Sequence, residues 1–476
     1  MVITVNEKAK SLLRNINYTV SANFLVLGIS IVLNLFVPKF LGVKEYSFWQ
    51  LYVFYSSYVG FFHFGWLDGI YLKIGGEEYE NLPKKTLGTQ FWYLLFSQII
   101  LAFGLISYVL FSDMQGNRVL ILFCVSIVLV ITNCKTFILY ILQSTNRIKE
   151  YAQLSRNDRY IYLLGVIVYL FFGGRNFYFL IMIDILSRFI MTLWGANRIK
   201  DILIVKLDSF KSTVKIIIEN ITSGINLMIG NIASMLVMGV TRMFVEKQWG
   251  IETFGQLSFT LSISNMFMTF INAVGVVMFP LLRRTDKNHL KRLYLNLRNS
   301  FVPITYGLLL AFVPIKLLLS YWLPAYTQSL IFMGTLFPMI IYEGRMSLLV
   351  STYLKTIRKE KNILLANVLT LAVTLVVSSF TVFYLKNISL TVVGIIFCIA
   401  FRCVFAEMLL STILNIRVVS ELFIETLLTA IFITSNLLLG NLASFVVYLL
   451  AYTVYIAINR KKTISSVKEL ISLMKE

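Results

Sequence analysis

Eight candidate ionisable residues lie inside stretches of this chain that are otherwise apolar over membrane-spanning lengths: Lys135, Arg188, Arg345 and Arg402 among the cations, Asp68, Asp184, Glu343 and Glu407 among the anions. A charge at the middle of such a segment costs about 2.5 to 3.5 kcal/mol on insertion scales, so it is kept where it faces a cavity or a partner. Arg188 follows Asp184 by four residues, which places both on one helix face and lets them pair, either to neutralise a buried charge or to hold a ligand. Lys135 lies in the polar run Thr132, Asn133, Cys134, Lys135, Thr136, about two turns from the end of its segment. It either snorkels to the interface or faces a cavity. Glu343 and Arg345 are two residues apart and point to nearly opposite faces of one helix, so they do not readily share a partner. Arg402 has no acid one turn away on its own segment, and its charge must be met by another helix, by water or by an anion. Among the four cations it is the strongest candidate for ligand contact.

The elements that carry these residues follow from composition. Of 476 residues 58% are hydrophobic and 14% charged, with mean hydropathy +0.79, values that exclude a soluble domain. Crossing about 30 Å of hydrocarbon takes roughly 20 apolar residues. About fourteen such stretches are predicted, near 17–37, 46–71, 88–110, 118–142, 159–173, 177–196, 217–241, 253–282, 299–320, 328–353, 362–384, 388–412, 420–437 and 441–458. The first ends in Val37, Pro38 and Lys39 without a small-residue cleavage pattern and reads as a retained helix, not a signal peptide. No loop exceeds roughly 20 residues, which leaves no room for an extramembrane catalytic domain and argues against an enzyme.

The formal net charge of +20 is explained by orientation. With the amino terminus cytoplasmic, alternate loops hold most of the 43 Lys and Arg, among them Arg147, Lys149, Lys200, Lys206, Arg283, Arg284, Lys355, Arg358 and Lys359. This is the positive-inside pattern of a multi-pass protein of the cytoplasmic membrane with both termini cytoplasmic. It removes the reason to expect nucleic acid as a partner. Cys124, Cys134, Cys398 and Cys403 fall inside spans without metal-ligand spacing, and His63 and His289 cannot form a metal site between them. No metal or cofactor is expected. At the carboxyl end Ile464, Val467, Ile471 and Met474 fall at helical spacing opposite lysines, the pattern of an interfacial amphipathic helix, and residues 2–13 repeat it more loosely.

Two echoes divide the chain. "FLGVKEYSFWQL" at 40–51 returns as "QWGIETFGQLSF" at 248–259, and "TNRIKEYAQL" at 145–154 resembles "KTIRKEKNIL" at 355–364 at nearly the same offset. Matching offsets suggest duplication of a six-helix unit. Six is an even number, so both copies keep one orientation. The expected division is 1–210 as a first six-helix lobe, 211–415 as a second, and 416–476 as two additional helices with the amphipathic tail. An all-α, two-lobed membrane protein of about fourteen helices results.

The segments 41–79, 241–259 ("TRMFVEKQWGIETFGQLSF") and "STNRIKEYAQL" resemble the polysaccharide flippases of the multidrug, oligosaccharidyl-lipid and polysaccharide exporter superfamily, over roughly the first twelve spans. Thr241 stands where an Asp often precedes the Arg, and span one has no basic residue. The resemblance implies a MATE-like fold and alternating-access transport of a polyprenyl-pyrophosphate-linked oligosaccharide for surface polysaccharide. Membrane lipids, a polysaccharide polymerase and glycosyltransferases of one pathway would be its partners. On that reading Arg402, Arg188, Lys135 and Arg345 would hold the diphosphate, and Asp184 and Glu343 would bind coupling protons or sodium. The other readings are a drug or organic-cation antiporter of the same superfamily, whose cavity should be dominated by acids, and a polysaccharide polymerase or ligase, which should carry a large outer loop.

Overall fold

In the computed structural model the backbone is described for residues 5–284 and 287–473, and side chains for 28–209, 211–268, 271 and 290–470. The described residues form helices and turns with no strand. In chain order the helices are α1 (Val5–Tyr58), α2 (Trp66–Ile74), α3 (Lys84–Phe111), α4 (Asn117–Ser144), α5 (Ile148–Phe171), α6 (Phe177–Arg198), the short α7 (Lys200–Leu203), α8 (Phe210–Arg284) and α9 (Lys287–Leu308). They continue with α10 (Phe312–Trp322), α11 (Thr327–Leu336), α12 (Met339–Arg345), α13 (Thr352–Thr356), α14 (Glu360–Ser379), α15 (Ile388–Leu414), α16 (Val419–Leu438) and α17 (Asn441–Leu473).

Among the described residues nine helical stretches are long and apolar enough to cross a membrane, and a tenth arises if α11 and α12–α13, bent by 49°, are one span. One of the nine, Lys211–Met268, has 58 residues and would be about 87 Å long if straight, far beyond a single crossing. Gly250 divides it, with φ 84° and ψ −178°, and Gly42 divides α1 in the same way, with φ 76° and ψ 171°. That backbone region is open essentially to glycine alone. The first sequence echo thus marks two turns of one conformation. The second echo also marks a shared turn: Asn146 and Arg358 are both left-handed (φ 59° and 56°), and the next N–H donates back to Leu142 (2.9 Å) and to Leu354 (2.8 Å). These turns match a few residues away from the register of the letters. Further on, Asn176 and Asn387 each cap the start of the next span, accepting from Tyr178 N and Leu390 N.

Two compact units result, Met1–Ile232 and Ala233–Glu476, and the junction falls inside α8. Within the first, α3 shows how the spans pack. Leu87, Phe91, Leu94 and Ala102 are buried, while Phe96, Phe103 and Leu110 are exposed as a lipid-facing side requires. Glycine permits the tightest crossing: a Cβ at Gly69 would overlap the Asn220 carbonyl, and one at Gly224 would overlap that of Gly65. Gly65 and Gly69 form the small-xxx-small pattern by which α2 meets the first part of α8.

The second span is broken. A 3-10 turn at Val59–His63 leads into left-handed Phe64 and Gly65 before α2 begins. Its free carbonyls are met by side chains, since Asn133 Nδ2 donates to Val59 O (3.0 Å) and Gln98 Nε2 to Phe62 O (3.1 Å). Non-helical backbone at membrane depth persists where protein satisfies it in this way. In the second unit the segment 464–470 continues α17 without a break. Ile464 and Val467 are exposed, but Ser466 is buried and accepts from Asn299 of α9 (3.4 Å). This stretch therefore packs on α9 along one side. Met474 and residues 2–4 lie outside the described residues, as do the side chains of 5–13 and Ile471.

Candidate functional site

Seven of the eight candidate residues assemble into three buried groups, and the eighth, Asp68, is buried at the break of the second span with His63 Nε2 3.8 Å away. In the first unit, Asp184 of α6 accepts from Arg188 Nε (2.8 Å) and Tyr52 Oη (2.7 Å), and Arg159 Nη1 of α5 lies 3.6 Å from its other oxygen. Lys135 of α4 reaches Asp158 of α5 at 2.6 Å, and Arg159 Nε is 4.0 Å from Asp158 Oδ1, a buried oxygen without a hydrogen bond of its own. The i,i+4 pair on α6 is therefore one corner of a network joining four helices. Its count is unequal, because Lys135, Arg159 and Arg188 face Asp158 and Asp184. The surplus positive charge is presented by Arg159, whose side chain is 38% exposed while both carboxylates are enclosed.

Tyr52, Asp158 and Arg159 are additions to the sequence-derived set. Asp158 and Arg159 border the start expected for span five, but α5 begins at Ile148 and carries them well inside the helix. Pairing explains the difference: Lys135 neutralises Asp158, and Arg159 lies within 4.0 Å of both acids while its side chain stays 38% exposed, so the helix can run through them. The signal available in sequence is that Asp158, Arg159 and Tyr162 share one or two adjacent helix faces.

In the second unit Arg345 is 1% exposed and closed into a quartet. Its Nη1 contacts Glu407 Oε2 (3.0 Å) and Glu425 Oε2 (2.8 Å). Arg298 of α9 binds the same two acids, through Nε to Glu407 Oε1 (2.6 Å) and through Nη2 to Glu425 (3.0 Å), and Tyr294 Oη also donates to Glu407 (2.9 Å). Two guanidiniums and two carboxylates sum to zero. This geometry is a clamp that ties α9, α12, α15 and α16 together, and it leaves Arg345 Nη1 committed to protein partners.

Arg402 lies apart from the quartet. Its charge is met across helices by Glu343 of α12, with which Nη2 pairs, and by Ser234 of α8, to which Nη1 donates at 2.8 Å. Glu343 and Arg345 do face different partners, as their two-residue spacing requires. Glu343 Oε1 and Arg402 Nε make no hydrogen bond among the described residues, so this pair keeps one acceptor and one donor for a third group.

Chemically, only the first network offers uncompensated positive charge. A cluster of two guanidiniums and an ammonium offers the forked donors that suit phosphate oxygens. Among the described residues no group of three His, Cys, Asp or Glu could hold a metal ion.

No protein-family model and no curated protein matches this sequence. Solved structures do match in fold. The lipid II flippase MurJ in an inward closed conformation superposes with TM-score 0.67 at 12% identity, over 94% of this chain and 99% of that one. An inward-facing multidrug resistance MATE family transporter of the MOP superfamily gives TM-score 0.60 at 12% identity, over 84% and 99% of the two chains. A MOP superfamily transporter from Pyrococcus furiosus, described as having reverse polarity of its binding pocket, gives 0.57 at 10% identity, over 85% and 96%. The chain is an all-α membrane protein with the fold shared by MurJ and the MATE transporters of the MOP superfamily.

Proposed function

We propose that this protein carries a lipid-linked anionic oligosaccharide, a polyprenyl-pyrophosphate-bound glycan, across the cytoplasmic membrane by alternating access. The observation that carries this reading is the unequal charge of the first unit's network, three cations against two carboxylates, with the surplus held on half-exposed Arg159. A diphosphate cannot enter hydrocarbon unshielded, whereas a polyprenyl tail can remain there. Arg159, Arg188 and Lys135 would exchange Asp184 and Asp158 for phosphate oxygens, and the carboxylates released would take up a proton or a sodium ion. Arg402 and Glu343 would make the corresponding exchange in the second unit. Arg345 would act on the substrate indirectly, by fixing the helices that carry Arg402 and Glu343.

Two further points support the reading. The likeness to a lipid II flippase covers nearly the whole of both chains. A drug-cation antiporter would need acids in excess, and in none of the three networks do acids outnumber cations; Asp68 is the one buried acid of the candidate set outside them.

The test is export of surface polysaccharide in a strain lacking its flippase, measured beside the level of protein in the membrane. Arg159→Gln and Arg188→Gln should each reduce export at least tenfold with protein level unchanged for Arg159. Arg159→Lys should retain part of the activity, because it keeps the charge and loses the fork. Wild-type export from Arg159→Gln would refute the role of the surplus charge.

A further inference from the structure

We propose that residues 199–211, the link from α6 to α8, form a membrane-surface anchor in which Ile204 and Leu207 enter the headgroup–acyl boundary and Lys200, Lys206 and Lys211 bind anionic phospholipid headgroups. The inference stands apart from the transport reading above.

The link reads "IKDILIVKLDSFK", and its aliphatic residues divide into two sets. Ile202 and Leu203 are buried, whereas Ile204 is 81% and Leu207 53% exposed. Two large aliphatic side chains set among lysines and left uncovered are unfavourable in water and suit an interfacial segment.

The link cannot fold these side chains away, because α3 and the turn before it hold its backbone in place. A Cβ at Gly88 would overlap Ile202 O, and Val205 packs on the same glycine. Trp92 Nε1 donates to Leu203 O at 3.0 Å. Asp208 N donates to Thr89 Oγ1 at 3.0 Å, and the Asp208 carboxylate accepts from Lys85 Nζ at 2.7 Å and Thr86 Oγ1 at 3.3 Å. Asp201 is held by Lys84 Nζ at 2.7 Å and Tyr79 Oη at 2.6 Å. These contacts use Ile202, Leu203, Val205 and the two acids, and they leave Ile204, Lys206 and Leu207 outward.

The place of contact identifies the occupant. Gly88, Trp92 and Phe96 follow one another at four-residue spacing on one face of α3, and Phe103 continues that face. Trp92, Phe96 and Phe103 are exposed there, on the lipid-facing side of the helix. The link therefore borders a surface that lipid already covers, about 6 Å along α3 from an indole of the kind favoured at the membrane–water interface.

Charge selects among lipids. Lys84 and Lys85 match the two acids of the link, while Lys200, Lys206 and Lys211 are exposed and make no ion pair among the described residues. Three positive charges are thus in surplus beside two aliphatic side chains. A lysine stem can cross apolar ground while its ammonium reaches a phosphate. Each Lys held near an anionic surface strengthens attachment about fivefold. An anchor at this point secures the carboxyl end of α6, the helix that carries Asp184 and Arg188.

Spin labelling of the full chain in vesicles tests the anchor. Nitroxides would be placed through Ile204→Cys and Leu207→Cys, and through Glu80→Cys as an exposed reference outside the link, the four native cysteines being buried. Accessibility to oxygen, which concentrates in lipid, is compared with accessibility to a neutral nickel chelate that stays in water. In vesicles containing phosphatidylglycerol the oxygen-to-nickel ratio at 204 and 207 should exceed that at 80 by about threefold or more, and it should fall in pure phosphatidylcholine. Combining Lys200→Gln, Lys206→Gln and Lys211→Gln should reduce the phosphatidylglycerol value to the phosphatidylcholine one. Labels at 204 and 207 as water-exposed as the one at 80, the result expected if a soluble protein covers this face instead, overturn the anchor. Equal ratios in the two lipids overturn the recognition of anionic headgroups, and a triple variant that keeps the difference overturns the role of the lysines.

Discussion

Replacing Glu407 by Gln asks whether the Arg298–Arg345–Glu407–Glu425 quartet is a structural clamp. The substitution keeps the shape of the side chain and removes one negative charge from a site that is 0% exposed. Two guanidinium contacts, at 2.6 and 3.0 Å, lose their ionic partner, and Arg298 and Arg345 are left to share Glu425. At an effective dielectric near 20, each contact at about 3 Å represents roughly 5 kcal/mol of attraction. Part of that loss is offset, because Glu425 is no longer repelled by Glu407. The net cost of orphaning a buried charge, about 3 to 5 kcal/mol, is the better guide. This corresponds to a hundredfold or greater fall in the ratio of folded to unfolded protein.

Adding Arg345→Met should recover most of that loss. The remaining Arg298–Glu425 pair, at 3.0 Å, is neutral by itself, and Met fills much of the vacated volume. Folded fraction would be followed as monodisperse protein across an SDS titration in mixed micelles, for the wild type, both single variants and the double. A coupling energy of at least about 2 kcal/mol between the two sites is expected. If Glu407→Gln costs less than about 1 kcal/mol, or if the two substitutions simply add, the clamp is refuted and Arg345 returns to the set of residues able to meet a ligand.

At the α2–α8 crossing, Gly224→Ala and Gly69→Ala should each lower the folded level, because a methyl would overlap the Gly65 or Asn220 backbone and overpacking costs about 1 to 3 kcal/mol or more. Gly104→Ala, with nothing within 4 Å of its Cβ, should be neutral, and equal effects at the three positions would refute the close crossing. Orientation can be read by thiol labelling of intact cells, since all four native cysteines are buried and should stay silent. A cysteine at Lys386 should be labelled from outside and one at Arg358 should not; the reverse pattern would invert the topology.

The spans were legible because lipid leaves a polypeptide few alternatives: about 20 apolar residues in sequence must form a helix whose backbone is satisfied within itself. Gly42 and Gly250 could be set side by side from the letters around them, although composition could not reveal that both adopt a conformation nearly reserved for glycine. The second echo shows the limit. Its letters align Ile148 with Ile357, whereas the backbone aligns Asn146 with Arg358, because a helix end is fixed by where the chain turns left-handed and not by side-chain identity.

Charge pairing divides along a simple physical line. Asp184 and Arg188 could be paired from sequence because their contact lies within one helical turn. Arg345 could not be matched to Glu407 and Glu425, nor Arg402 to Glu343, because those contacts join helices brought together only by the fold. A residue considered alone yields the cost of burying its charge. Whether that cost has been met depends on a sum over neighbours. That sum gives zero for Arg345 with its quartet, zero for Arg402 with Glu343, and plus one for Lys135, Arg159 and Arg188 with their two acids. Two of the three networks are therefore balanced in charge, although Arg345 and the Arg402–Glu343 pair keep buried polar atoms without a hydrogen bond, and the third is the one in which cations outnumber acids.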